Sequence, residues 1–494
     1  CRRGPGSRGA GMIARDKVTL WRRGAATLLL LLLLGFYSHF RQRWVGACDW
    51  YGYFAEAQLF AQGRLDMPLK LDVARYPAAA PLSFESFNGR AVSQYPPGFP
   101  LLLAAGMQVG AELFVAPLCA VLSVWLLYLL LARRVSRLTA GLFSVMWAVS
   151  PIVVWSAGSI MSDLPAALGL MATIYFFDRE KPTAAGLAFA LAVAIRPTNA
   201  LFGLLLLTQF RQWRTFSRFA IPAALGGSVY GLYNWHLFGA PWRTGYSYAT
   251  SALGLSVFGH HFAFYGIETL RQVSPLILLP ALWAVIRKKN RSLFLLGWFL
   301  LFWLFYSFWE PGADAWWYTR FLLPGFPALF LLGAQGWEEI RATVERAAPR
   351  LAAGVRVAMV LLAASLVVFY VRFDRHERLF SGQTGKAYWE AAQSALGKIP
   401  PEALVGSFET SGALRLYGGF ETFRVIYPGA DVLVRDALAG GRRVFIVVEP
   451  GIRRNPMMVD MLAAYETAPP IPLDGWAGLF AVELRGARRK LPVA

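Results

Sequence analysis

Charged residues are scarce in this sequence. They make up 16% of its 494 residues, while hydrophobic residues make up 56% and the mean hydropathy is +0.44. A soluble domain cannot bury that much apolar surface, so lipid must cover part of it. Cysteine is scarcer still: Cys1, Cys48 and Cys119 give neither a disulfide framework nor the ligand spacing of a metal site.

Several catalytic signatures are missing. There is no Ser/His/Asp signature, no Walker-type glycine-rich loop and no Cys/His cluster, which argues against a hydrolase, an ATPase and a zinc enzyme. Met161 and Ser162 precede Asp163, so no Asp-x-Asp pair stands there to hold a divalent metal. The adjacent His260 and His261 have no third ligand at metal spacing. The sequence therefore requires no cofactor and indicates no metal site, although it leaves a divalent metal possible.

Acidic residues are outnumbered, 29 against 49 Lys and Arg, for a net charge of +20. Such a balance is often typical of nucleic-acid binding. Here the basic residues form short clusters between apolar stretches, as the positive-inside rule predicts for cytoplasmic loops. We therefore interpret the charge as a membrane topology signal and expect no nucleic-acid partner.

The apolar residues collect in stretches close to the length that crosses a bilayer. We predict a polytopic α-helical membrane protein with about eleven spans. These are Ala25–Phe40, Val115–Ala132, Leu138–Ser156, Leu164–Phe177, Thr183–Ile195, Asn199–Phe210, Phe219–Tyr233, Val273–Ile286, Leu293–Phe308, Phe321–Gly336 and Leu351–Val371. With a cytoplasmic N-terminus, all basic clusters between spans fall in the cytoplasm. This topology and the short loops predict a multi-pass protein of a bacterial inner membrane.

One segment leaves an alternative open. Tyr95–Phe114 is apolar enough to resemble a further span. If it is counted as one, every later loop moves to the opposite side of the membrane. Its Pro-Pro-Gly opening and Pro100 favour a juxtamembrane or re-entrant helix along the outer surface instead.

The predicted topology defines the domains. They are a non-native or upstream-translated extension (1–11), a transmembrane domain (12–373) with a first outer loop (41–94) and a juxtamembrane segment (95–114), and an extracytoplasmic C-terminal domain (374–494). The last is less hydrophobic and resembles a small α/β domain. Its predicted elements are a helix, Lys386–Lys398, and strands at Ala403–Phe408, Arg443–Val448 and Leu479–Leu484.

Four charged residues fall at the outer boundary of the predicted spans: Asp49, Asp163, Arg196 and Arg320. Charges at membrane depth are costly and usually face a cavity. Simpler interpretations remain open, because Asp163 is placed to cap a helix, the arginines to extend toward the interface, and Asp49 to be solvated in its loop. Glu56 is interpreted as the solvated side of a helix Tyr51–Ala61.

Together the four would form a site for an anionic ligand with a candidate base. An acid there can deprotonate an acceptor hydroxyl, and arginines grip phosphate through charge-assisted, often bidentate hydrogen bonds. A phosphate held at the lipid boundary implies a lipid-linked substrate.

The order of motifs resembles the integral-membrane glycosyltransferases of the GT-C fold, especially bacterial relatives of the protein O-mannosyltransferases and of the lipid A aminoarabinose (ArnT-like) transferases. The motifs are Asp49-Trp50-Tyr51 with Gly63-Arg64-Leu65, Ser93-Gln94-Tyr95-Pro96-Pro97-Gly98-Phe99-Pro100, Met161-Ser162-Asp163-Leu164-Pro165, Arg196-Pro197-Thr198, Phe238-Gly239-Ala240-Pro241 and Arg320-Phe321-Leu322-Leu323-Pro324. No single motif is specific, but the ordered set is.

The resemblance implies a polyprenyl-phosphate sugar donor at the outer membrane surface and an inverting transfer to an acceptor hydroxyl of a glycan, lipid or protein. It implies that Asp49 is the catalytic base and that Asp163 is the second active-site acid. Arg320 and Arg196 would then bind the donor phosphate. Tyr95, Pro96, Tyr318 and Asn234 are the candidates for lining the substrate cavity.

The sequence departs from the family at two points. Trp50 follows Asp49 where the protein mannosyltransferases carry an Asp-Glu pair, which weakens the case for a protein acceptor. The second acidic pair of the metal-dependent branch is absent, which favours a metal-independent enzyme. A flippase or transporter of a lipid-linked saccharide, and a surface polysaccharide polymerase or ligase, stay open as alternatives.

Overall fold

The computed structural model describes residues 24–246, 252–287 and 289–488, and its N-terminal three quarters are almost entirely helical. The predicted extension 1–11 lies outside these residues. The helices of this part are α1 (Gly24–His39), α2 (Cys48–Ala61), α3 (Gly98–Met107), α4 (Val115–Leu131), α5 (Arg137–Ala148), α6 (Pro151–Ala157), α7 (Asp163–Asp178), α8 (Pro182–Ile195), α9 (Ala200–Leu207), α10 (Trp213–Phe238), α11 (Leu255–Val273), α12 (Pro275–Arg287), α13 (Lys289–Ser307), α14 (Phe326–Ala347) and α15 (Ala352–His376).

Every predicted span coincides over most of its length with one of these helices, or with two in the case of Leu138–Ser156. Within the described ranges, two helices are long and apolar enough to cross a membrane by themselves, Glu112–Leu131 and Pro349–His376. The number rises to at most four if each of two bent helix pairs counts as one span. The fold is thus that of a helical membrane protein, while the count of eleven and the side of each loop stay predictions.

Proline explains the two bends. The predicted span Leu138–Ser156 is divided into α5 and α6, which meet at 58°, because Pro151 cannot donate the hydrogen bond that would continue α5. α11 and α12 meet at 106°, where Pro275 follows Ser274 in a left-handed conformation (φ 74°). α11 lies between the predicted spans Phe219–Tyr233 and Val273–Ile286, where no helix was predicted, and it is a regular helix of 19 residues.

α7 lies at the centre of the helical part. Its residues are apolar all round, and most are buried, including Leu164, Ala167 and Leu170. A helix that is hydrophobic on every face belongs in a protein interior rather than against solvent. α7 is therefore surrounded by other helices and presents its first residue, Asp163, from inside the bundle.

The predicted first outer loop is folded. α2 is followed by a hairpin of β1 (Phe84–Phe87) and β2 (Arg90–Ser93), which are antiparallel. Asn88 and Gly89 connect them with positive φ values of 48° and 73°, the conformation that tight hairpin turns require. The next element, α3, is a helix of ten residues, too short to cross a bilayer.

The C-terminal region is an α/β unit, as the sequence predicts. Its elements are α16 (Lys386–Leu396), β3 (Leu404–Ser407), α17 (Ser411–Gly418), β4 (Glu421–Arg424), α18 (Ala430–Ala439), β5 (Val444–Val448), α19 (Pro456–Ala464), β6 (Tyr465–Thr467), β7 (Ile471–Pro472) and β8 (Phe480–Ala487). The sheet order is β4-β3-β5-β8-β6, with β7 also on β8. β3 is parallel to β4 and β5, whereas β8 is antiparallel to β5. β3 and β5 are buried throughout, as strands covered on both faces should be.

This unit packs on the first loop rather than standing apart from it. One hydrophobic cluster contains Tyr51 of α2, Phe84 of the hairpin and Phe423 of the C-terminal sheet. A Cβ added at Gly412 of α17 would lie 2.3 Å from the Tyr51 ring, so only glycine allows this approach. The backbone N–H of Val45 donates to the Tyr417 hydroxyl (2.7 Å). The C-terminal unit thus lies directly on the helix that carries Asp49.

Candidate active site

Asp49 lies in the first turn of α2 and is held by a tyrosine that follows the hairpin. The Tyr95 hydroxyl donates to Asp49 Oδ1 (2.6 Å), and the Tyr95 ring lies 4.2 Å from that of Tyr53, one helical turn after Asp49. Ser93, the last residue of β2, accepts the Tyr95 backbone N–H (3.1 Å). The hairpin therefore places Tyr95, a predicted cavity residue, on the candidate base. Pro96 follows it and is also buried.

The second Asp49 oxygen is paired with Arg320. Arg320 lies in a 3₁₀ segment, Trp316–Leu322, and its Nη2 is 2.8 Å from Asp49 Oδ2. Its guanidinium group lies over three aromatic rings, those of Phe321 (5.1 Å), Tyr318 (5.6 Å) and Trp155 (5.7 Å). Its Nε is buried and has no hydrogen-bond partner among the described residues. Arginine held over aromatic rings in this way presents a fixed positive charge with an unused donor.

Asp163 and Arg196 form a second ion pair deeper in the protein. Asp163 begins α7, where the positive end of the helix dipole favours a carboxylate. Arg196 ends α8, which stops there because Pro197 disfavours a further helical turn. Arg196 Nε also donates to the Tyr306 hydroxyl (3.1 Å). Ser162, not Asp163, is the N-cap of α7, so the capping interpretation of Asp163 was wrong.

The Phe321 ring lies between the two ion pairs and contacts the arginine of each. The guanidinium carbons of Arg196 and Arg320 each lie 5.1 Å from the centroid of Phe321, whose ring stacks on Tyr306 at 5.0 Å. The structure thus gathers the four predicted charged residues around one residue. The ends of α2, α7 and α8, far apart in sequence, meet at the 3₁₀ segment that precedes α14.

The remaining predicted site residues divide into two groups. Tyr95 and Tyr318 contact Asp49 and Arg320 respectively. Asn234 does not contact either ion pair in the described structure. It is buried near the end of α10 and donates to the Pro241 carbonyl (3.2 Å), so it holds the turn that follows α10.

Glu56 was interpreted as a solvated residue, and this was wrong. The helix is present, but Glu56 is only 2% exposed. Its carboxyl accepts from Ser93 Oγ (2.6 Å) and from the Tyr233 hydroxyl of α10 (2.9 Å). Burial raises the pKa of Glu56 to about 8, although both hydrogen bonds act in the opposite direction. Glu56 lies seven residues after Asp49, two helical turns along the same face, which was the signal available in the sequence.

The C-terminal unit also contributes side chains that sequence reasoning missed. The Tyr388 ring lies 6.3 Å from that of Trp50, the neighbour of Asp49, and its hydroxyl donates to Glu409 (2.8 Å). Burial raises the pKa of Tyr318, and the carboxylates of Asp314, Asp49 and Glu409 raise it further. Glu409 is therefore close enough to act on the same tyrosine as Asp49. Nothing in the sequence spacing indicates this, because the two acids are 360 positions apart.

A metal centre is not evident in the described ranges, where no three His, Cys, Asp or Glu side chains come together in a way that could hold an ion. The prediction of a metal-independent site therefore stays a prediction.

No protein-family model matches the sequence, and no curated protein is significantly similar to it. Solved structures do resemble it. ArnT from Cupriavidus metallidurans bound to undecaprenyl phosphate has a TM-score of 0.61 at 16% identity, over 94% of this chain and 98% of that one. The Archaeoglobus fulgidus oligosaccharyltransferase tethered to an acceptor peptide has a TM-score of 0.58 at 12% identity, over 93% of this chain and 75% of that one. Archaeal AglB from the same organism, in complex with an inhibitory peptide and a dolichol-phosphate, has a TM-score of 0.53 at 12% identity, over 96% and 75%.

The chain therefore has the fold of the GT-C membrane glycosyltransferases. Within that class its likeness to ArnT extends over nearly the whole length of both chains. The resemblance inferred from the ordered motifs is confirmed at the level of the fold.

Proposed function

We propose that this chain is a glycosyltransferase that moves a monosaccharide from a polyprenyl-phosphate donor to an acceptor hydroxyl at the outer face of a bacterial inner membrane. The observation that carries the proposal is the pair of Asp–Arg ion pairs on either side of Phe321 in a chain of GT-C fold. The similar structures support the choice of donor, since one is bound to undecaprenyl phosphate and another to dolichol-phosphate.

Arg320 is the proposed ligand of the donor phosphate. Its side chain is 13% exposed, and it forms an ion pair with the more exposed carboxylate of the site, Asp49. Its Nε lacks a partner among the described residues. A phosphate oxygen can take the place of that carboxylate, because guanidinium groups bind both in the same planar geometry. Arg196 would add a second positive charge across Phe321 without leaving Asp163.

Asp49 is the proposed general base. When a phosphate binds Arg320 in place of Asp49, Asp49 Oδ2 loses its hydrogen bond to Arg320. The Tyr95 hydroxyl still donates to Oδ1 and keeps the carboxylate in position. The acceptor hydroxyl oxygen attacks the anomeric carbon of the donor sugar and its proton passes to Asp49. The bond from the anomeric carbon to the phosphate oxygen breaks with inversion, and polyprenyl phosphate leaves with its electron pair. The arginines stabilise the negative charge that develops on the leaving group.

Asp163 is proposed to act through Arg196. It is 1% exposed and its Oδ1 is paired with Arg196, so we assign it the positioning of a phosphate-binding residue rather than proton exchange. The C-terminal unit lies beside Asp49 and is the proposed acceptor side, because Trp50, Tyr388 and Glu409 meet there.

Purified protein and a radiolabelled polyprenyl-phosphate monosaccharide test the proposal. With a total glycolipid and cell-envelope extract as acceptor, we expect label to move to the acceptor and free polyprenyl phosphate to appear in equal amount. Translocation of the intact donor across vesicles without its cleavage would instead identify a flippase. Activity restricted to lipid-pyrophosphate donors would identify a polymerase or ligase.

A further inference from the structure

α11 buries a stripe of polar side chains. His261, Tyr265, Glu268, Thr269 and Gln272 recur every three or four residues and therefore share one face of the helix. None is more than 5% exposed. Buried helix faces are normally apolar, so these five side chains need an explanation.

Most of the stripe has no hydrogen-bond partner among the described residues. Glu268 pairs with Arg271 (2.7 Å). In contrast, His261 Nδ1, the Tyr265 hydroxyl, Thr269 Oγ1 and both polar atoms of the Gln272 amide are buried without one. Buried polar atoms in native proteins are nearly always paired with protein, water or ligand. These atoms therefore call for a polar partner, water or a ligand, that the described residues do not supply.

The stripe passes the candidate active site at Tyr265. α11 packs against the 3₁₀ segment that carries Arg320. Tyr265 belongs to the same buried cluster as Tyr306, whose hydroxyl accepts from Arg196 Nε (3.1 Å). From Tyr265 to Gln272 the stripe extends about 10 Å along α11, at about 1.5 Å per residue. It leads away from the two arginines toward the bend before α12.

We propose that Tyr265, Thr269 and Gln272 bind the sugar of the lipid-linked donor, an inference that rests on the proposed function. Two hydroxyls and a carboxamide both donate and accept hydrogen bonds and carry no charge. That set suits the hydroxyls of a sugar, each of which also donates and accepts. A phosphate binds the arginines instead, and a prenyl chain would leave the polar atoms of α11 unpaired.

The test measures binding rather than turnover. The full-length protein in nanodiscs is titrated with undecaprenyl phosphate carrying mannose, glucose or arabinose, and separately with bare undecaprenyl phosphate. The wild type is expected to bind at least one sugar-bearing lipid more tightly than the bare lipid. Gln272→Leu and the isosteric Thr269→Val should each weaken that binding by about tenfold, the effect of losing one or two buried hydrogen bonds. Their affinity for the bare lipid should stay at the wild-type value, which also shows that they are folded.

Thr208→Val and Gln209→Leu are matched controls, because both residues are exposed at the end of α9. They should bind all the lipids as the wild type does. If Gln272→Leu and Thr269→Val also do so, the stripe binds only water and the inference is wrong, while the proposed function stands. Equal affinity of the wild type for sugar-bearing and bare lipid would overturn the inference as well. Failure of the wild type to bind any of these lipids would refute the proposed function together with the inference.

Discussion

The two ion pairs of the site use the same residue types in different surroundings. The Asp49 side chain is 31% exposed and that of Asp163 is 1% exposed, whereas their arginine partners are nearly equal at 13% and 14%. The difference therefore lies in the carboxylates. Asp49 lies in the first turn of α2, beneath the C-terminal unit. Asp163 is the first residue of α7, at the centre of the helical part.

This difference assigns the pairs different tasks. A partly exposed ion pair is weak, because water competes for both charges, so its members exchange partners at little cost. A buried pair cannot be broken without leaving a desolvated charge. We therefore propose that Asp49–Arg320 is the part of the site that reacts, and that Asp163–Arg196 is the part that stays fixed.

Removal of the Asp49 charge should have the largest effect. Asp49→Asn keeps the shape of the side chain but cannot accept the acceptor proton, so we expect transfer to fall by about 10²- to 10⁴-fold. Initial rates of label transfer measure this, and thermal unfolding should be unchanged. Asp66→Asn, which alters an exposed ion pair in the same loop, should retain full activity. Full activity in Asp49→Asn would remove Asp49 from the mechanism.

The next largest effect should be on stability. Asp163→Ala leaves Arg196 charged and buried, and we expect a loss of about 3–5 kcal/mol in the free energy of unfolding. Asp178→Ala is the matched control, because Asp178 ends the same helix in a more exposed pair with Arg134 and should cost less than about 1 kcal/mol. Thermal unfolding of the purified variants in one detergent compares them. If both variants lose the same free energy of unfolding, burial does not make the Asp163–Arg196 pair harder to break, and its distinction from the exchangeable pair Asp49–Arg320 is wrong.

A smaller effect is expected at Arg320. Arg320→Lys keeps the charge but loses the planar fork and the contacts over Phe321, so we expect the affinity for bare polyprenyl phosphate to fall by about tenfold or more. Titration with the lipid measures this, with Arg443→Lys in the C-terminal sheet as the control. An unchanged affinity would indicate that Arg196, rather than Arg320, binds the phosphate.

A separate effect, on the pH dependence of stability, concerns Glu56, a third carboxyl that pairs with two hydroxyls rather than with a cation in the described structure. Its pKa is about 8 in the folded protein against an ordinary value of 4.5. The folded state therefore binds its proton more tightly, and its contribution to stability is complete below about pH 4.5 and is lost as the pH rises through about 8. In Glu56→Gln this part of the pH dependence should disappear.

Thermal unfolding of both proteins between about pH 5 and about pH 9 provides the measurement. Glu390→Gln, at a half-exposed pair on α16, should keep the wild-type pH dependence. A wild-type pH dependence in Glu56→Gln would mean that Glu56 does not titrate in this range.

Much of the site was predictable because charges near a membrane are rare. Asp49, Asp163, Arg196 and Arg320 stood out in sequence against apolar spans, and the fold brings all four together. Asn234 was equally conspicuous but holds a turn, since polarity alone does not distinguish a structural amide from a ligand-binding one.

The residues that were missed depend on distant partners. Glu56 is buried by Tyr233, which lies 177 positions later, and no local pattern records that contact. α11 was not among the predicted helices, because its polar stripe lowers the hydropathy on which spans are recognised. β4, β6 and β7 were missed because strands of two to four residues give little alternation to detect.

The hydrophobic cluster shared by the first loop and the C-terminal sheet has a consequence for the order of folding. The contact from Val45 to Tyr417 spans 372 positions, so the helix that carries Asp49 cannot be fully covered until the C-terminal strands have been synthesised and have folded against it. Contacts of such long range form slowly, because a large loop must close before they contribute. The helical part can therefore assemble early while the Asp49–Arg320 pair is still uncovered, and the candidate site is complete only after the C-terminal unit has packed on α2.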